Sequence, residues 1–127
     1  MSQRGQALII LIVAVSIALL VLSSTVLRAL GQAKISSRSN LAQKVYYAAE
    51  TGAEYGILKI MRNPPGCSGS ENLTVDSANL VISYDIAGSN CQITSQATEQ
   101  TITKKVQVEG FYDSNQVFQF CCWKEIP

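Results

Sequence analysis

From Ala7 to Leu27 no side chain is charged, and the run ALIILIVAVSIALLVLSSTVL is twenty-one residues long. At a helical rise of about 1.5 Å per residue it extends about 31 Å, the thickness of a bilayer's hydrocarbon core. Its many Ile and Val residues would suit a strand in water. In lipid, however, a lone segment must satisfy its own backbone hydrogen bonds, which only a helix does. The solvent, not propensity, dictates a membrane helix here. A chain of 127 residues with such a first quarter has room for one small domain beyond it.

A cleaved secretory signal is the competing reading, since Met-Ser-Gln-Arg is an acceptable basic opening. Two features oppose it. The apolar run outlasts the usual signal core, and the SSTVLRALGQAK that follows offers no small-x-small exit before helix-compatible sequence resumes. A retained anchor is expected. Its orientation is poorly marked by charge, because Arg4 and the amino terminus stand on one side and Arg28, Lys34, Arg38 and Lys44 on the other. Charge counting alone would place the C-terminal part inside; the cysteines and the polar tail speak for outside.

After Leu27 the pattern turns amphipathic. Leu41, Val45, Ala48 and Gly52 recur at steps of four, three and four, and Tyr46, Ala49, Ala53, Ile57 and Ile60 form a neighbouring row. Such a stripe seeks a sheet or another helix. The small residues Ala48, Ala49, Gly52, Ala53 and Gly56 would let a second backbone approach closely. Gly31 is the weak point of the helix, costing about 1 kcal/mol relative to Ala. Asn63-Pro64-Pro65-Gly66 is expected to end it.

The remainder reads as strands. Leu80, Ile82, Tyr84 and Ile86 alternate with Val81, Ser83 and Asp85, and Gly88-Ser89-Asn90 supplies a turn. Cys91 to Ala97 places Cys91, Ile93 and Ala97 on one face. Thr101 to Glu109 places Ile102, Val106 and Val108 together, and Gln116 to Trp123 alternates Phe118 and Phe120 with polar neighbours. Short turns at Glu99-Gln100 and Asp113-Ser114-Asn115 suit hairpins. The expected fold is α+β: a long N-terminal helix packed through its second half on an antiparallel sheet of about four strands. Phe118, Phe120 and Trp123 at strand spacing read as core before binding patch, and the Asn72-Leu73-Thr74 sequon carries no weight.

Several functions lose ground at once. The sequence has no His, hence neither the commonest general base nor the commonest metal ligand. Ten Lys and Arg against nine Asp and Glu leave it near neutrality, so nucleic acid is not expected as a direct ligand. Glu50 and Glu54, four apart on a helix, read as solvated charges and not as a catalytic pair. No cofactor and no metal are expected. Cys67, Cys91, Cys121 and Cys122 lack a C-x-x-C spacing and all follow the apolar segment, which favours disulfides in an oxidising compartment. A Cys121–Cys122 bridge is disfavoured because neighbouring Cβ atoms in a strand point to opposite faces, so one of the two is expected to pair back to Cys67 or Cys91.

Two stretches carry a family resemblance. Arg4-Gly5-Gln6-Ala7-Leu8-Ile9, with Tyr46-Tyr47-Ala48-Ala49-Glu50-Thr51-Gly52-Ala53-Glu54, resembles the N-terminal region of PilX-type minor pilins and related pseudopilins. The opening is also similar to that of TadE-like pseudopilins. The resemblance covers about the first half of the chain and implies a leader (1–5), a transmembrane helix (6–27), a helical stem (28–63) and a β-rich C-terminal domain (64–127). It implies cleavage by a prepilin peptidase between Gly5 and Gln6 and N-methylation of Gln6. The implied partners are that peptidase, other pilin or pseudopilin subunits, an inner-membrane assembly platform and the membrane before assembly. The implied end point is a pilus outside the cell or a periplasmic pseudopilus. The alternative is a single-pass anchor presenting an extracytoplasmic β domain without a filament.

One departure is informative. Major pilins carry a glutamate where this chain has Ile10, and Gln6 stands where phenylalanine is common. A carboxylate in lipid costs a few kcal/mol and persists only where a partner repays it. Ile10 recruits none, which the resemblance translates into a minor subunit.

Overall fold

The computed structural model describes residues 3–63 and 66–127, with the backbone alone at Gln3 and Arg4. Met1 and Ser2 of the expected leader, and the Pro64-Pro65 pair expected to end the helix, lie outside the described residues. The fold is α+β. One helix, α1 (Gln3–Arg62), precedes five strands: β1 (Gly69–Val75), β2 (Ala78–Ala87), β3 (Asn90–Glu99), β4 (Ile102–Tyr112) and β5 (Phe118–Ile126). They form one antiparallel meander in the order β1-β2-β3-β4-β5. The chain divides into Met1–Arg38 and Ser39–Pro127.

Helix α1 passes through Gly31 uninterrupted. It closes with the Asn63 amide shared between the carbonyls of Lys59 and Ile60, at 3.2 and 3.3 Å. The expected stem, 28–63, divides at Arg38: residues 28–38 are exposed, and burial begins at Leu41.

The first three hairpins turn on two residues each. The first of each pair, Asp76 (φ 58°), Gly88 (φ 69°) and Gln100 (φ 55°), adopts the left-handed conformation that tight hairpin turns demand. The longer β4–β5 turn is held by Asp113, whose carboxylate accepts from the amides of Asn115 and Val117 at 2.8 and 3.0 Å.

Strand β1 is the one the sequence pattern did not announce. It is an edge strand of polar composition, and only Glu71, Leu73 and Val75 are half-buried. That weak alternation was the available signal.

Cross-strand rows build the inner face. Ile82, Ser95 and Val106 form one, and Tyr84, Ile93 and Val108 the next. All six are buried, and Val45, Ala49, Ala53 and Ile60 of α1 complete the core. The small residues of the helix thus have a partner, the chain's own sheet. A Cβ added at Gly52 would stand 2.7 Å from Leu80 Cδ2 and also against Ser95 Oγ, and one at Gly56 would stand 2.8 Å from Ile93 Cγ2. Side chains of the sheet occupy the space that a methyl group on the helix would need.

Replacing Gly56 by Val should therefore cost about 1–3 kcal/mol through overpacking. Gly31→Ala, in open surroundings, should instead leave the Ser39–Pro127 unit unchanged and favour the helix by up to about 1 kcal/mol. Chemical denaturation of the full chain in detergent micelles, followed by near- and far-UV circular dichroism, checks both.

Candidate functional site

The first site is the surface of the apolar helix segment. Its large apolar side chains from Leu8 to Leu30 are more than half exposed on every side, and the segment is long and apolar enough to cross a membrane. Its few polar groups are satisfied internally. The hydroxyls of Ser16, Ser23, Ser24 and Thr25 each donate to a carbonyl three or four residues earlier, at 2.8 Å. In an apolar medium these side chains would leave no hydrogen bond unmade, a device the hydropathy pattern alone does not reveal.

Gly5 and Gln6 are the third and fourth residues of α1, in the turn whose amides lack intrahelical acceptors. No atom beyond the helix's own backbone comes within 4 Å of a Cβ built at Gly5. Ile10 is exposed one turn further on.

The second site lies on the stem. Of the expected packing residues, Val45, Ala48, Ala49, Gly52 and Ala53 are buried and Leu41 is partly so. The opposite face carries a stripe the sequence analysis missed: Tyr47 (63% exposed), Tyr55 (43%), Leu58 (56%) and Met61 (51%). At about 100° per residue these four share an arc of roughly 120°. They lie twenty residues or more beyond Leu27, so a membrane-crossing segment ending there does not account for them.

Charges fix the stem on the sheet. Lys44 lies 3.0 Å from Asp76, in the β1–β2 turn, and 3.5 Å from Glu99, the last residue of β3. The hydrogen bond to Asp76 raises the Lys44 pKa against the opposing effect of burial. Lys59 pairs with Glu71 and stands 5.5 Å from the Tyr84 ring centre. The Glu50 carboxylate, one turn after Tyr46, raises the pKa of that phenol by hydrogen bonding to it. Among the described residues no three His, Cys, Asp or Glu side chains converge on a metal-sized site.

The cysteines correct an expectation. Cys67 pairs with Cys91, their Cα atoms 5.8 Å apart, and Cys121 with Cys122, so neither of the latter returns to the first pair. Cys91 opens β3, and β4 separates that strand from β5. A β-bulge explains the rest: Glu109 pairs with Cys122 and Gly110 with Phe120, leaving Cys121 as the extra residue. The strict alternation that would hold adjacent Cβ atoms apart fails there.

The terminal aromatics also divide. Phe118 is buried, edge-on to Tyr112 and against Gly110, whereas Phe120 (58% exposed) and Trp123 remain outside the core.

Comparison with family models, with curated proteins and with solved structures finds no match. The reading of these surfaces therefore rests on their physics and on the sequence motifs.

The two disulfides differ in access, Cys67 and Cys91 being buried and Cys121 and Cys122 exposed. Mild reduction of the folded chain followed by alkylation should label Cys121 and Cys122 first, with Cys67 and Cys91 following only on unfolding. Peptide mapping reads the order.

Proposed function

We propose that the chain is a structural, non-enzymatic minor subunit of a type IV pilus-like filament, pilin or pseudopilin. It is held first in the inner membrane by α1 and later drawn into the filament. The observation that carries this reading is the exposed stripe of Tyr47, Tyr55, Leu58 and Met61. An anchor needs an apolar surface only where it meets lipid. Here a second one lies on the stem, where neighbouring subunits would cover it. Bilayer and helix bundle are both apolar, so moving the Ala7–Leu27 segment from one to the other carries no large hydrophobic penalty. With Ile10 in place of a carboxylate, the segment brings no buried charge to either.

In this reading a prepilin peptidase removes residues 1–5 and Gln6 becomes the methylated terminus. The remaining partners are other pilin or pseudopilin subunits and an assembly platform in the membrane. Expression with a prepilin peptidase and mass spectrometry of the mature N-terminal peptide should give a chain starting at Gln6 with one added methyl group. An intact Met1, or a cut between Ser24 and Ala33, overturns it.

A second test separates a filament subunit from a plain anchor. Leu58→Asp, on the exposed face, should leave folding and membrane retention unchanged while reducing recovery of the chain in sheared filaments at least about tenfold, the effect of about 1.4 kcal/mol at an interface. Unchanged recovery, or no recovery of the parent chain, would remove the stripe as an assembly surface.

A further inference from the structure

The charges flanking the apolar segment are of one sign. Between Gln6 and Ala49 the charged residues are Arg28, Lys34, Arg38 and Lys44, and the first acidic residue is Glu50. Lys44 is engaged by Asp76 and Glu99. Among the described residues Arg28, Lys34 and Arg38 have no ion-pair partner, and all three are exposed. None of the undescribed residues is acidic. Three unneutralised cations thus follow directly on a membrane-length segment.

We propose that Arg28, Lys34 and Arg38 form a docking stripe for the phosphate groups of anionic lipids. On a helix turning about 100° per residue they fall within an arc of roughly 120°, so one face presents all three. The polar layer outside the hydrocarbon is about 5–8 Å thick on each side. Arg28, next to Leu27, lies within it. Lys34 is about 10 Å beyond Leu27 along the axis, but helical side chains lean toward the N-terminus, here toward the lipid, and bring its ammonium back to the phosphate level. Arg38, about 16 Å out, meets only the decaying surface potential. Their contributions should fall in the order Arg28, Lys34, Arg38. This stripe also accounts for four basic residues standing on the side of a disulfide-bonded domain, against the usual charge bias: three of them answer lipid phosphate and the fourth answers the sheet.

The inference rests on the membrane reading of Ala7–Leu27 and not on filament assembly. Two measurements on the full chain separate it from that reading. Flotation with neutral phosphatidylcholine vesicles tests the membrane segment alone; a chain that stays behind overturns the membrane reading and this inference together. Native mass spectrometry from neutral detergent, with phosphatidylglycerol or phosphatidylcholine added, tests the stripe. Phosphatidylglycerol should be retained preferentially, and the preference should fall about fivefold in Arg28→Gln, the equivalent of about 1 kcal/mol per charge. It should fall less in Arg38→Gln, survive in Arg28→Lys, and weaken as salt is raised. Equal retention of both lipids, or a preference unchanged in Arg28→Gln and Lys34→Gln, overturns the inference while leaving the membrane segment standing.

Discussion

The structure of Ser39–Pro127 depends on one close approach: the helix backbone at Gly52 and Gly56 seated on Leu80, Ser95, Ile82 and Ile93. A single helix covers a five-stranded sheet poorly unless it lies low enough for its flanking side chains to reach several strands. Omitting two Cβ atoms provides that depth. Val45, Ala49, Ala53 and Ile60 can then share the inner face with the buried rows of β2, β3 and β4. The approach has a consequence for polarity, since Ser95 is fully buried beneath Gly52 with its hydroxyl lacking a partner. An unmade hydrogen bond of this kind costs about 1–3 kcal/mol.

The same helix carries two kinds of surface. Over Ala7–Leu27 it is apolar all round and keeps its hydroxyl hydrogen bonds internal; over Ser39–Arg62 it is amphipathic, with a buried side and an outer side that is itself partly apolar. The first stretch is long and apolar enough to cross a membrane, and packing on the sheet accounts for the buried side of the second. The outer face, with Tyr47, Tyr55, Leu58 and Met61, stays exposed, and neither a membrane segment ending at Leu27 nor the sheet covers it.

Much of this was legible in residue order. The uncharged run and the steps of three and four from Leu41 to Ile60 mark the helix and its buried side, because periodicity reports which side is dry. The alternations at Leu80–Ile86, Cys91–Ala97 and Thr101–Glu109 mark three strands for the same reason. Strand β1 escaped because an edge strand buries little, so Ser70, Asn72 and Thr74 leave no hydrophobic rhythm. The cysteine pairing escaped because it depends on which strands the meander places side by side and on a bulge at Cys121, neither of which has a period. The outward stripe was hidden by its own composition: Tyr, Leu and Met on a helix look like core until a sheet is seen to occupy the other side.

The Cys67–Cys91 bridge joins the segment just after α1 to the second residue of the middle strand. Seen as a mechanical circuit, this covalent shortcut takes the β1–β2 hairpin out of the line of force. A pull applied between the helix and β5 runs from Cys67 straight into β3 and then through β4, so the hairpin is relieved of tension that would otherwise peel it from the sheet edge. Extension of the sheet in the oxidised domain is thereby confined to β3, β4 and β5, and the residues between Cys67 and Cys91 add no length under load until the bridge breaks.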